Sequence, residues 1–249
     1  MAQSLNELTT ILFDLDGTLL DSRENIVDAA YETVQKYNPD SLTYQEVLDH
    51  FGLDLAHHLS KIIPDKEVVQ RYFITKKRES YHRNPLFPYV SEGLKQLSNK
   101  GFRLGIVTNQ QRDLVIKVLR EKGMEDMFDV IVTKDDVPYI KPSPEPIKLT
   151  MEKLGVDTAN VWMVGDTLFD LLAAKRAGVP CVRLNFYEDA ELDASSSAAV
   201  NEPTIAEQAI SPDYTFTTFK EFIDFTLAYR RSKQPVHDQN PDKEGVNLG

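Results

Sequence analysis

The chain has 249 residues, of which 41% are hydrophobic, 27% charged and 9% aromatic. That is ordinary globular composition for one or two domains, and it excludes collagen, coiled coil and wholesale disorder. Lys and Arg number 28 against 39 Asp and Glu, a net charge of −11, so the field is wrong for nucleic acid. The single cysteine, Cys181, excludes an intrachain disulfide. The longest apolar run near the start, Ile11-Leu12-Phe13, is too short for a signal or membrane segment. The expectation is a cytoplasmic protein with neither membrane nor nucleic-acid partners.

The first predicted strand is Thr10–Phe13. Residues 22–84 then read as helices only. Asp21-Ser-Arg-Glu24 resembles a capping signal ahead of Val27, Ala30, Tyr31 and Val34, and Thr43-Tyr-Gln-Glu46 is a capping box before another helix. Pro64-Asp65 opens a long helix through Val69 and Phe73. A block of this size after one strand predicts a separate helical domain, joined to the rest by two chain crossings. From there strands and helices alternate. Short apolar runs predict strands at Arg103–Thr108, Val130–Thr133, Val161–Val164 and Cys181–Leu184, with a weaker one at Tyr214–Thr217. They lack polar alternation, as strands buried on both faces do. The intervening helices stop at Gly101, Gly123, Gly155 and Gly178, where glycine accepts the left-handed conformation. Ser91 is the expected cap of the helix bearing Leu94 and Leu97. This alternation predicts an α/β fold, a doubly wound parallel sheet.

Residues 187–249 carry 12 acids and 5 basic residues. Ser195-Ser-Ser-Ala-Ala reads as a flexible loop, and Thr218-Phe-Lys-Glu221 starts an amphipathic helix through Phe222 and Phe225. After Arg231 the polar composition predicts a disordered tail. The expected division is a core of residues 1–20 and 86–231, a helical domain at 21–85 and a tail at 232–249.

Four short motifs carry chemistry. Asp14-Leu-Asp16-Gly-Thr18 follows the first strand. Carboxylates two residues apart point the same way on extended chain, and the carboxyl end of a parallel strand is where open α/β sheets bind ligands. An Asp-Gly turn accounts for Asp16 and Gly17 but not for Asp14. Gly165-Asp166-Thr-Leu-Phe-Asp170 follows the strand ending at Val164. Helix capping would also explain its acids. Four carboxylates at the ends of two strands would repel one another without a cation, and hard oxygen donors suggest Mg²⁺. Thr108-Asn109 and Lys141-Pro142 offer a hydroxyl, an amide and an ammonium, the groups that hold a phosphoryl oxygen. Each alone is equally a turn or a solvated loop.

In this order the four motifs resemble the haloacid dehalogenase superfamily over Ile11 to Leu184. The helical block resembles the cap of its phosphoglycolate phosphatase and β-phosphoglucomutase branch. The resemblance implies that Asp14 is the nucleophile and forms an aspartyl-phosphate, and that Asp16 is the general acid and then the base. It implies that Asp14, the Asp16 carbonyl and Asp166 bind Mg²⁺, with Asp170 supporting through water. Thr108, Lys141 and the Asn109 backbone N–H would hold the phosphoryl group of a small phosphorylated metabolite. Dehalogenases lack an acid at the place of Asp16, so its presence implies transfer from oxygen. Leu15, where ion pumps carry lysine, implies no pump. Tyr89 stands where relatives commonly have glycine.

Five basic residues lie between Arg71 and Arg83. They read as a solvated helix face or as a local field for anionic substrates. Phe51-Gly52-Leu53 resembles the substrate-facing cap loop of the branch. His57, His58 and His82 read as surface residues, Trp162 and Cys181 as core. The expected function is a Mg²⁺-dependent phosphatase of small phosphomonoesters. A sugar-phosphate mutase and a non-catalytic phosphate-sensing or partner-binding module are the alternatives.

Overall fold

A computed structural model describes residues 8–51, 55–63, 65–187 and 211–233. Six parallel strands form one sheet in the order β3-β2-β1-β4-β5-β6. They are β1 (Thr10–Phe13), β2 (Arg103–Val107), β3 (Val130–Val132), β4 (Val161–Gly165), β5 (Cys181–Leu184) and β6 (Tyr214–Phe216). Each lies within a residue of its predicted ends. The unbroken apolar runs follow from two cores. Ile11 and Phe13 enter one with Leu104, Ile106, Trp162 and Val164. Leu12 enters the other with Val107, Val161 and Met163, because successive strand side chains alternate faces.

Helices α7 (Glu145–Leu154) and α8 (Leu168–Ala177) cover the second core, and α5 (Val90–Asn99), α6 (Arg112–Glu121) and α9 (Phe219–Lys233) supply buried residues to the first. Trp162 is buried among Tyr214, Phe225 and Tyr229. Cys181 is buried too. Gly155 and Gly178 cap α7 and α8 in the left-handed conformation, as expected. Helix α9 runs two residues past Arg231. The rest of the predicted tail, the Ser195–Ala199 loop and Gly52-Leu53 lie outside the described residues.

Between β1 and α5 the chain is helical: α1 (Arg23–Tyr37), α2 (Tyr44–Asp49), α3 (Leu55–Ile62), α4 (Lys66–Ser80) and a 3₁₀ turn at Tyr81–Arg83. The Thr43–Glu46 capping box is present, but two helices rather than one lie between it and α4. The chain crossings pair with each other: Asp21 N–H donates to Pro85 O at 2.9 Å and Phe87 N–H to Leu19 O at 3.1 Å. Two caps differ from expectation. Ser22 precedes α1 but makes no side-chain cap bond, because its hydroxyl is used elsewhere. Ser91 lies inside α5, and the cap is Tyr89 with φ 70°.

Tyr89 is the positive-φ residue other than glycine among those described. A side chain there costs about 1–2 kcal/mol relative to glycine. Glycine is the residue that adopts this backbone shape without strain. Tyr89→Gly is expected to be more stable than Tyr89→Ala by about 1 kcal/mol, since both lose the ring and only alanine keeps the strain. Urea unfolding of the two variants checks this. Equal midpoints would mean the backbone relaxes.

Candidate active site

Strand order reverses around β1, so the crevice outside the carboxyl ends of β1 and β4 is the place for a ligand. Phe13 pairs with Ile106 on one side and Val164 on the other, and Asp14 N–H donates to Val164 O at 2.9 Å. This register sets Asp14, at the end of β1, beside the turns that carry Thr108 and Asp166. Gly17, at φ 78°, makes the turn, and a Cβ there would lie 2.2 Å from Asp166 Oδ2. Only glycine lets the two acidic turns approach this closely.

Carboxylate oxygens of Asp14, Asp166 and Asp170 lie within 4.8 Å of one another. Lys141 is 3% exposed. Its ammonium lies 2.8 Å from Asp14 Oδ1 and donates to Asp170 Oδ1 at 2.6 Å and Val107 O at 2.8 Å. Asp170 Oδ1 and Val107 O accept hydrogen bonds from it, and Asp14 Oδ1 is its ion-pair neighbour. Burial alone would lower the Lys141 pKa, but Asp14 and Asp170 outweigh it and push it up. Burial raises Asp14 from 3.8 to about 7; Lys141 pulls down, Asp170 and Asp16 push up. Burial also holds Asp166 well above the carboxylate range, helped by Asp170 and Asp14. Acids that crowd this closely in a dry site keep protons unless a cation takes their place. The donors fit Mg²⁺: hard carboxylate oxygens, with no His or Cys in the cluster.

Asp170 also closes a capping box on α8, accepting from Thr167 N–H at 3.0 Å and Thr167 Oγ1 at 2.7 Å. Capping and Lys141 thus occupy both its oxygens. Asp166 accepts from Thr18 Oγ1 at 2.6 Å. Thr108, 3% exposed, accepts from Gln110 N–H at 3.2 Å through its hydroxyl oxygen. The Asn109 amide is a two-way staple: Nδ2 donates to Lys141 O and Oδ1 accepts from Lys141 N–H, both at 2.9 Å. It fixes the loop that presents Lys141.

Asp16 faces the helical block. Its Oδ1 accepts from Ser22 Oγ at 2.7 Å and Tyr81 OH at 2.8 Å, and its Oδ2 from Gln110 Nε2 at 3.1 Å. Burial and then Asp16 hold the Tyr81 phenol well above its usual range, so it stays a donor. Ser22, Tyr81 and Gln110 went unread as site residues in the sequence. Ser22 had a competing meaning as a cap, and Tyr81 lies 65 residues from Asp16 with no motif of its own. Between Asp14, Asp16, Lys141 and the helical block lies a cavity of about 80 Å³. Among the described residues, its outer wall carries Ile26, Phe51, Leu55, Phe73 and Ile74, with Lys77 among them. The His50 and His58 rings lie 4.0 Å apart, and neither lines this cavity.

A buried lysine among carboxylates at the switch point of a doubly wound sheet marks the ligand site of an α/β fold. The model of the haloacid dehalogenase-like hydrolases matches residues 11–184, and this chain belongs to that family. It is 39% identical over 178 residues to a protein called pyrophosphatase PpaX from Bacillus pumilus, covering 70% of this chain and 82% of that one. A solved structure described as a haloacid dehalogenase-like hydrolase from Bacteroides fragilis superposes with a TM-score of 0.72 at 26% identity, over 87% of this chain and all of that one. One described as a predicted phosphoglycolate phosphatase from Haemophilus somnus shares the fold at a TM-score of 0.65 and 24% identity, over 88% and 98% of the two chains. The chain is a phosphatase of this family. Among the described residues no helix is long and apolar enough to cross a membrane.

Proposed function

We propose that this enzyme hydrolyses a small phosphomonoester with Mg²⁺ through an aspartyl-phosphate on Asp14. The observation that carries the reading is the Asp14, Asp166 and Asp170 cluster around Lys141, with Asp16 beside it on the cavity. A carboxylate oxygen of Asp14 attacks phosphorus, and the bond to the leaving oxygen breaks. Asp16 gives that oxygen a proton, then takes one from the water that attacks the aspartyl-phosphate. Phosphate leaves and both acids are restored. Splitting hydrolysis in two makes each step easier.

Asp14, the Asp16 carbonyl and Asp166 would hold Mg²⁺, and Asp170 reinforces them from behind. When bound, the ion supplies the positive charge that lets an anionic carboxylate meet an anionic phosphate. Lys141 holds Asp14 in place and reaches the phosphoryl group by exchanging one of its three oxygen partners. Thr108 and the Asn109 backbone N–H line the same edge. Residues 21–85 act as a cap, and the small cavity under it suits a small leaving group. One buried cysteine fits a cytoplasmic enzyme.

A second reading, pyrophosphate as substrate, is favoured by the relative called pyrophosphatase at 39% identity. A panel of phosphorylated metabolites that includes pyrophosphate, assayed for phosphate release, decides the substrate. A single turnover in ¹⁸O-labelled water is expected to yield phosphate bearing the label. An unlabelled isomeric sugar phosphate that requires a bisphosphate primer would sink hydrolysis in favour of a mutase.

A further inference from the structure

We propose that Gln110 is a positioning residue for the proton transfer: it holds Asp16 so that one open lone pair of Oδ2 meets the leaving oxygen. This deepens the proposed phosphatase reading and rests on it.

A carboxylate offers about four lone-pair sites, two on each oxygen. At Asp16 three of them are taken. Oδ1 accepts from Ser22 Oγ at 2.7 Å and from Tyr81 OH at 2.8 Å, so both of its sites are filled. Oδ2 accepts from Gln110 Nε2 at 3.1 Å, and its second site is open. Asp16 and Gln110 line the cavity, whereas Ser22 and Tyr81 do not. Oδ1 is therefore turned to partners behind the wall, and Oδ2 to a partner on it. The open site on Oδ2 is the place on Asp16 for the proton that the leaving oxygen takes. It is also the place for the proton that the attacking water gives back.

The amide that holds Oδ2 is itself fixed. Its Oε1 accepts from Gln111 N–H at 3.1 Å and from Lys77 Nζ at 3.0 Å. A backbone N–H and an ammonium only donate, so the amide oxygen faces them and the NH₂ faces Asp16. Of the basic run on α4, Lys76 pairs with Glu32 and Arg78 with Asp113, while Lys77 reaches this amide. The Gln110 backbone is anchored as well. Its N–H donates to Thr108 Oγ1 at 3.2 Å, and its carbonyl accepts from Lys134 N–H at 3.2 Å. The residue is 6% exposed.

The same residue reaches the phosphoryl side. A hydroxyl oxygen that accepts the Gln110 N–H keeps its own O–H for another acceptor, and in the proposed reaction a phosphoryl oxygen is that acceptor. Gln110 thus connects the Thr108 hydroxyl, which holds the phosphoryl group, with the acid that serves the leaving oxygen. The spacing matters, because a positioned acid contributes about 10²–10⁴-fold and a misplacement of about 1 Å can cost about 10²-fold.

The test compares kcat/KM for the best alkyl phosphate of the substrate panel and for acetyl phosphate, with wild type, Gln110→Met, Gln110→Glu and Asp16→Asn. An alkoxide needs a proton to leave and acetate does not. kcat/KM covers the steps up to departure of the leaving group, so the later attack of water on the aspartyl-phosphate does not enter. Methionine removes the NH₂ at nearly the same length. Glutamate keeps an oxygen for Gln111 and Lys77 and loses only the donor to Asp16, so it serves if the methionine variant does not fold; melting temperature checks both. Each Gln110 variant is expected to lose about 30-fold or more on the alkyl phosphate relative to acetyl phosphate. Asp16→Asn should show a larger split in the same direction. Equal losses on the two substrates in a folded Gln110 variant, or a split within about threefold of wild type, overturn the inference while the phosphatase reading stands. An Asp16→Asn variant without the split, or a wild type that releases phosphate from no alkyl phosphate, overturns both.

Discussion

Replacing Asp14 by asparagine is expected to reduce turnover by about 10⁴-fold or more, the scale on which enzymes lose activity with their nucleophile. An amide of the same size cannot form the acyl-phosphate, so both chemical steps stop. The fold should survive. Burial raises the Asp14 pKa to about 7, which means its charge is unwelcome in the metal-free protein. At pH 8 without metal, the asparagine variant should therefore melt at the same temperature as wild type or higher. Against this, Lys141 loses one of its two carboxylate neighbours, though Asp170 and Val107 O remain within hydrogen-bond reach of it. Steady-state phosphate release and a thermal melt read the two outcomes separately. Residual activity within about tenfold of wild type would remove Asp14 from the nucleophile's role.

Removing divalent metal is expected to abolish activity, and the affinity for Mg²⁺ should depend on pH in a definite direction. The native pKa of Asp14 lies above its ordinary value of 3.8, at about 7, and Asp166 is raised as well. Between about pH 4 and pH 7 the metal-free native state therefore holds a proton that the unfolded chain has released. The contribution of Asp14 to stability falls as pH rises through that window and levels off above about 7. Mg²⁺ needs the same oxygens deprotonated, so proton and ion compete. Affinity should climb up to about tenfold per pH unit for each proton displaced, with the share due to Asp14 flattening above about pH 7. Melting curves with and without Mg²⁺ at pH 5 and pH 8 test this. The metal-free protein should be more stable at pH 5, and the rise on adding Mg²⁺ should be larger at pH 8. Full activity in excess chelator would refute the metal site, and a pH-independent Mg²⁺ shift would refute the shared protons.

Much of this protein is determined within short stretches of its sequence. Thr10–Phe13 and Val161–Val164 are continuous apolar runs because both faces of their strands are buried, and that leaves a local mark. Glycine after α7 and α8, and the Thr43–Glu46 capping box, act within a few residues and are equally readable. The acids of the site lie in compact motifs at strand ends, so their order along the chain carries the family resemblance. What only tertiary structure decided involves pairs far apart in sequence. Ser22 has the residue type and position of a helix cap, yet its hydroxyl goes to Asp16, because the turn after β1 brings that acid within reach. Asp170 caps a helix and also grips Lys141, 29 residues away. The phase of α4 separates Lys77 from Lys76 and Arg78, and it is set by packing against the core rather than by the basic run itself. Tyr81 and Gln110 reach Asp16 across 65 and 94 residues. Local periodicity records which face of an element is buried, but not which polar group on a distant element waits there.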